Sequence, residues 1–256
     1  MKISGKTFLV TGGASGLGAA TVEALVNREA KVVVADLNPD VSSALNERYG
    51  RAVQFVQANV TSESDVLAAV EVACDFGGTF AGAVNCAGIA PAERINGRNG
   101  MHRLESFRTA VEVNLVGTFN VLRVVADRLI ARGRSACDEE LGVLISTASV
   151  SAYDGQIGQA AYAASKGGVV ALTLPAAREL AKHGIRVMTI APGIMETPML
   201  LGMPEDVQAS LAATVPFPAR LGKPHEYAAL VCHAIENTYL NGEVIRLDGA
   251  LRMAAR

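Results

Sequence analysis

Short runs of apolar, largely β-branched residues recur along this chain, and between them lie longer stretches whose apolar positions return every three or four residues. The runs predict strands at Thr7–Val10, Val32–Ala35, Ala52–Val56, Ala81–Asn85, Gly142–Ser146, Arg186–Ile190 and Glu243–Leu247. Hydrophobicity within them is continuous rather than alternating, which suits strands covered on both faces and therefore a parallel sheet. Strand–helix alternation from end to end predicts a doubly wound α/β fold of about seven strands with helices on both faces. No Pro/Gly/Ser-rich linker divides the chain and no internal repeat appears, so residues 1–256 are expected to form a single domain.

Two segments break the rhythm. Residues 91–103 form a polar insertion carrying Arg94, Arg98, His102 and Arg103. Residues 195–218 are rich in Met, Pro and Leu, and are expected to contain a short helix and to act as a substrate lid. Pro175 lies inside a predicted helix, which it should kink or deprive of regular hydrogen bonding.

Composition narrows the functional classes. Half the residues are apolar and 19% are charged, enough for a large core and unlike a disordered chain. A net charge of −2 leaves no basic excess to attract nucleic acid or an anionic membrane. No uninterrupted apolar stretch reaches the roughly 18 residues of a membrane span. The N-terminus carries neither a signal-peptide core nor an Arg-rich transit segment, so a cytoplasmic location is expected. Cys74, Cys86, Cys137 and Cys232 show no disulfide or zinc spacing, and the four histidines form no metal or triad grouping; no metal is expected.

The chemistry concentrates in two places. Thr11-Gly12-Gly13-Ala14-Ser15-Gly16-Leu17-Gly18 lies where the first strand gives way to a helix. Gly12, Gly16 and Gly18 allow a tight turn and close approach of backbone N–H groups to a pyrophosphate, with the helix N-terminus behind them. Asp36 ends the second strand, where a carboxylate accepts both ribose hydroxyls and repels a 2′-phosphate, so NAD(H) is expected over NADP(H). Asn38 is available as the cap of the next turn, which weakens the reading of Asp36 as a mere cap. Further along, Tyr162 and Lys166 are four residues apart, on one face of a helix. An ammonium there should lower the phenol pKa toward working pH. With Ser149 and Asn114 upstream, the ordered set points to hydride transfer to or from a carbonyl.

These motifs, with Asn85-Cys86-Ala87-Gly88 and Pro192-Gly193, resemble the short-chain dehydrogenase/reductase family over essentially the whole chain. The resemblance implies a Rossmann-type sheet and specific roles. Tyr162 exchanges the proton with the substrate oxygen, Ser149 stabilises the developing oxyanion, Lys166 holds the nicotinamide ribose, and Asn114 holds a water that relays protons to solvent. Gly12, Ser15, Gly16, Leu17, Gly18, Asp36, Asn59, Val60, Asn85, Ala87, Gly88, Tyr162, Lys166, Pro192, Gly193 and Thr197 would line the cofactor. Asn59-Val60 departs from the family's usual Asp-Val beside the adenine; an amide can still bond the adenine amino group, so altered strength is expected. Cys86 replaces the commoner second Asn.

Within the family the likeness is to the type 2 3-hydroxyacyl-CoA dehydrogenases, through segments 10–18, 155–162, 215–218 and 241–250. It implies interconversion of 3-hydroxyacyl-CoA and 3-oxoacyl-CoA, with Ser149, Gln156, Tyr162 and Leu200 meeting substrate. Leu200, Leu201, Met203 and Phe217 would form an apolar wall. Arg94, Arg98 and Arg103 read singly as solvated loop residues, or by the likeness as contacts to phosphates of coenzyme A. Other readings are a hydroxysteroid or other alcohol dehydrogenase, a 3-oxoacyl-carrier-protein reductase, and a nucleotide-binding scaffold without turnover. The family also implies a homotetramer.

Overall fold

The computed structural model describes residues 1–98, 100–133, 140–202 and 204–255, apart from the side chain of Met199. Cys137 and Met203 lie outside the described residues. A seven-stranded sheet forms the centre. Its strands are β1 (Lys6–Thr11), β2 (Lys31–Asp36), β3 (Val53–Gln57), β4 (Thr79–Asn85), β5 (Gly142–Thr147), β6 (Ile185–Pro192) and β7 (Val244–Leu247). They run parallel in the order 3-2-1-4-5-6-7, the doubly wound arrangement expected, with ends within two residues of the predicted ones.

One sheet face carries Leu9, Val33, Leu144 and Val187 against helices α3 (Glu63–Asp75), α5 (Gly117–Arg132) and α6 (Ala160–Ala181). The other carries Phe8, Val10, Val34, Ile145 and Met188 against α1 (Gly16–Val26), α2 (Ser42–Tyr49) and α9 (Pro224–Glu236). Burial on both faces is why these strands lack polar alternation. Register places Thr11 beside Ala35 and Asn85, and Asn85 beside Ser146. Chain order reverses between β1 and β4, so a crevice opens at the strand C-termini.

A single rod of 29 residues, Leu104–Arg132, joins α4 (Leu104–Val111) to α5 through a π-helical turn at Glu112–Val116. Although no uninterrupted apolar run was expected, this rod is long and apolar enough to cross a membrane by length and composition. In the fold, 56% of its most apolar window is buried, as for a core helix. The π turn contains Asn114, whose side-chain amide grips the main chain of Ile89 through two 2.8 Å hydrogen bonds. A π turn where a side chain is drawn out of register is a common device at functional sites.

Helix α6 runs through Pro175 for six more residues, to Ala181, so the proline does not end it. The carbonyl freed by the missing N–H belongs to Ala171, which is exposed and can be hydrated. The insertion at 91–103 is not wholly irregular: Asn96–Gly97 and Gly100–Met101 pair as a small antiparallel hairpin. Glu93 anchors its base by accepting the Arg103 backbone N–H at 2.6 Å and pairing with the Arg103 guanidinium. The expected lid contains α7 (Pro198–Leu201) and α8 (Glu205–Ala213).

Arg186, on β6, is buried and fully engaged. Its guanidinium pairs with Glu140 at 2.6 Å and donates to the carbonyls of Ala234, Ile235 and Leu240 at the end of α9. The chain's amino terminus adds a 3.1 Å bond to Glu140. Replacing Arg186 by Leu would orphan several buried acceptors at once. We expect Arg186→Leu to destabilise the protein by about 3–5 kcal/mol in denaturant titration; a change below about 1 kcal/mol would show the cluster to be dispensable.

Candidate active site

The crevice is a cleft of about 470 Å³. Its floor is the glycine turn. Gly12 has φ +64°, and a Cβ there would lie 2.7 Å from the Ala87 nitrogen. A Cβ on Gly18 would sit 2.1 Å from the Gly12 carbonyl, so only glycine lets α1 approach the turn this closely. Ser15 stands at the N-cap of α1 but makes no capping bond, which leaves the first N–H groups of that helix facing the cleft. An uncapped helix start is suited to a phosphate. Beside it Asp36 accepts the Ala14 N–H at 3.1 Å, which fixes its carboxylate against the turn. Asn38, not Asp36, caps the following turn by accepting from Asp40. These features fit a dinucleotide: a donor-lined turn for phosphates and an acceptor for ribose hydroxyls.

At the other end of the cleft stand Ser149, Tyr162 and Lys166. Ser149 leaves the end of β5 with extended backbone, and its Oγ accepts the Ser151 N–H at 3.1 Å. Lys166 is buried and donates to the Thr147 carbonyl at 2.7 Å. Burial pulls its ammonium down to about 8, partly countered by nearby Cys86. Its Nζ lies 6.0 Å from the centre of the Tyr162 ring. Burial raises the Tyr162 phenol above its ordinary value, and a hydrogen bond with Ser149 draws it partly back. The expectation that Lys166 lowers the phenol pKa is therefore not met: desolvation of the phenol is the larger effect, and Ser149 rather than Lys166 supplies the opposing one.

Asn114 is fully buried; its Nδ2 donates to the Ile89 carbonyl and to Ser165 Oγ at 2.9 Å, and its Oδ1 accepts the Ile89 N–H. It clamps the β4 loop to α6, one residue before Lys166. Its backbone carbonyl accepts from Thr118 Oγ1 at 2.7 Å, and Oδ1 accepts from the Ile89 N–H alone.

The cleft also gathers Gly12, Ser15, Gly16, Leu17, Gly18, Asp36, Asn59, Val60, Ala87, Gly88, Pro192, Gly193 and Thr197. Asn85 stays beneath it, donating to Ser146 Oγ while its own Oδ1 is buried without a partner among the described residues. Gln156 lies elsewhere: it lines a separate cavity beside Arg94, and its Nε2 donates to the Ala254 carbonyl at 3.0 Å. Leu200 is packed inside α7 and is not on the cleft wall, whereas Leu201 and Phe217 are exposed. The local spacing of Gln156 to Tyr162 gave no hint that the C-terminal tail would claim it.

Two residues went unnoticed in the sequence. Thr147 Oγ1 donates to the Asn85 carbonyl at 2.5 Å and meets the hydroxyl of buried Tyr227 at 2.7 Å, while its carbonyl holds Lys166. Cys86 Sγ lies 3.7 Å from both hydroxyls, and burial pushes the thiol up. Tyr227 lies in a distant helix, and only the fold brings it to the site; a buried tyrosine's need for a hydroxyl partner was the available signal.

Comparison with known proteins agrees with this geometry. Residues 6–208 match the sequence profile described as short chain dehydrogenase. A 3-hydroxyacyl-CoA dehydrogenase type-2 from Bos taurus is 52% identical over 255 residues, covering 98% of this chain and 97% of the relative. One of the same name from Drosophila melanogaster is 51% identical, covering 98% and 99%. The crystal structure of 3-hydroxyacyl-CoA dehydrogenase type-2 from Mycobacterium avium superposes with a TM-score of 0.94 at 45% identity, covering 98% of each chain. With a family match from residue 6 to residue 208 and full-length relatives sharing half its residues, the chain belongs to the short-chain dehydrogenases and is an oxidoreductase.

Proposed function

We propose that the protein oxidises 3-hydroxyacyl-CoA thioesters reversibly to 3-oxoacyl-CoA, with NAD(H) as the hydride carrier. One observation carries the reaction type: the Ser149–Tyr162 hydroxyl pair shares a cleft with an uncapped helix start and the Asp36 carboxylate. The substrate class is supported by the names of relatives that share about half of this chain's residues over nearly its whole length. Asp36 would repel a 2′-phosphate, which favours NAD(H) and disfavours an NADPH-linked carrier-protein reductase.

A bound nicotinamide supplies the hydride acceptor or donor. The chain's own groups manage the oxygen and its proton. Ser149 donates to the reacting oxygen as negative charge develops, a preorganised contribution. Tyr162 takes the hydroxyl proton during oxidation and returns it during reduction. With its pKa raised, Tyr162 rests as the neutral phenol, ready to protonate a reduced ketone. Lys166 donates to the Thr147 carbonyl, which holds its cation at the site against the opposing effect of burial. Such a cation favours the phenolate that oxidation requires.

The exposed apolar residues of the Leu104–Arg132 rod, Leu104, Phe107, Val116 and Phe119, support assembly through this face, and we infer a homotetramer. Light scattering should give a mass near four chains of 26.6 kDa; a monomer would contradict the inference.

Tyr162→Phe should lower turnover by about 10²–10⁴-fold while NADH binding, read from its fluorescence, persists. Unchanged turnover would refute the assigned role, and active wild type excludes a mere scaffold. Lys166→Met should abolish turnover yet stabilise the protein by about 1–3 kcal/mol at pH 7. The folded Lys166 titrates at about 8, below the unfolded value of 10.5. Below pH 8 the cation is carried in both states and its burial is fully costly. Between the two values the unfolded state holds the extra proton, so wild-type stability rises with pH and the variant's advantage shrinks. Denaturant titrations at pH 7 and pH 10 would show this; an advantage that does not shrink would contradict the assigned cause.

A further inference from the structure

We propose that Asn59 faces the purine 6-position with an N–H donor instead of an acceptor, so that this enzyme does not select the 6-amino group of adenine. The inference rests on the reading that a nicotinamide dinucleotide fills the cleft. Its hydride-carrying end then belongs at Ser149 and Tyr162, its phosphates at the start of α1, and its second ribose at Asp36. The wall beyond Asp36 is formed by Leu37, Ala58, Asn59, Val60 and Val113. Leu37, Ala58 and Val113 offer apolar side chains for the faces of a base. Asn59 and the backbone of Val60 are the polar groups there.

Asn59 is held rigidly. Its N–H donates to Asp65 Oδ2 at 2.9 Å and its carbonyl accepts the Ser62 N–H at 2.9 Å. That backbone bond, with help from Ser62, holds the Asp65 carboxyl below the usual carboxylate range. The side-chain oxygen accepts twice from Thr61, from the backbone N–H at 3.0 Å and from Oγ1 at 2.9 Å. A backbone N–H can only donate, so the amide atom facing it must be the oxygen, and both lone pairs of that oxygen are taken. Asn59 Nδ2 has no partner among the described residues, and the residue is exposed on the cleft wall. Its free function is thus a pair of N–H donors. The Val60 N–H is likewise without a partner among the described residues, while the Val60 carbonyl is bonded to Asn120.

The 6-amino group of adenine is itself a donor, so donor would face donor at Asn59. An aspartate in the same turn would satisfy Thr61 with one oxygen and turn the other, an acceptor, to the base. On this proposal the Asn59 amide, expected to bond the adenine amino group, does not do so, because its oxygen is engaged within the turn. The consequence is a cofactor site that relies on ribose and phosphates for affinity and reads the base weakly.

The test is direct binding, read from the fluorescence of the reduced nicotinamide, for NADH and for its 6-oxo (hypoxanthine) analogue. Wild type, Asn59→Asp and Asn59→Ala are compared, with melting curves to confirm that each is folded. A charge added at position 59 acts on both ligands alike, so the ratio of their Kd values isolates the base. Asn59→Asp should widen that ratio in favour of NADH by roughly tenfold or more, the size of one charge-assisted hydrogen bond. Asn59→Ala should change NADH affinity by less than about threefold. An unchanged ratio in Asn59→Asp, or a tenfold loss in Asn59→Ala, would overturn the proposal. Failure of wild type to bind either ligand would instead refute the dinucleotide reading beneath it.

Discussion

The burial of the Lys166 ammonium against the Thr147 carbonyl is the interaction around which the rest of the site is arranged. A cation so placed pays heavily in lost hydration, and the fold keeps it only because its neighbours are fixed. Thr147 is held by the Asn85 carbonyl and by Tyr227 from α9; Ser165, the residue before the lysine, is held by Asn114. Asn114 in turn locks the loop after β4 and widens the Leu104–Arg132 rod into a π turn. Two strands, the rod and two further helices thus converge on one amine. The same burial that weakens the lysine's charge raises the Tyr162 phenol, so both groups titrate away from their solution values in opposite directions.

Hydrogen-bond satisfaction separates structure from function in this molecule. Arg186, far from the cleft, has every side of its guanidinium engaged. Along the cleft the reverse holds. The start of α1 is uncapped, Asn59 Nδ2 and the Val60 N–H are unpaired among the described residues, and Asn85 Oδ1 is buried without a partner just beneath. A buried polar atom without a partner is costly, as for Asn85 Oδ1, and open donors and acceptors along one crevice are those that a ligand can complete.

Much of this was legible in the sequence because the fold obeys local rules. Continuous β-branched runs such as Val32–Ala35 announced strands covered on both faces, and the run from Gly12 to Gly18 announced a turn that only glycine can make. The pairing of Tyr162 with Lys166 followed from helical spacing. What was not legible depended on contacts between distant segments. That α6 continues past Pro175 is eased by Ala171, whose carbonyl the proline frees, lying at an exposed position, which only the helix's placement in the fold reveals. The direction of the Tyr162 shift required knowing how deeply it and Lys166 are buried. Gln156 was drawn away by the C-terminal tail, and Tyr227 reached Thr147 from eighty residues further along. Asn59 is an intermediate case: its departure from the family pattern was visible, but the occupied oxygen was not.

The central claim is a dehydrogenase that acts on acyl-CoA with NAD(H), and it is tested most directly by following NADH oxidation with acetoacetyl-CoA. NADPH and a simple 3-keto ester serve as parallel controls. Rapid turnover confined to NADH and the thioester is the predicted result. An inert thioester beside a reactive keto ester or steroid would contradict the acyl-CoA reading, and equal use of NADPH would contradict the role given to Asp36.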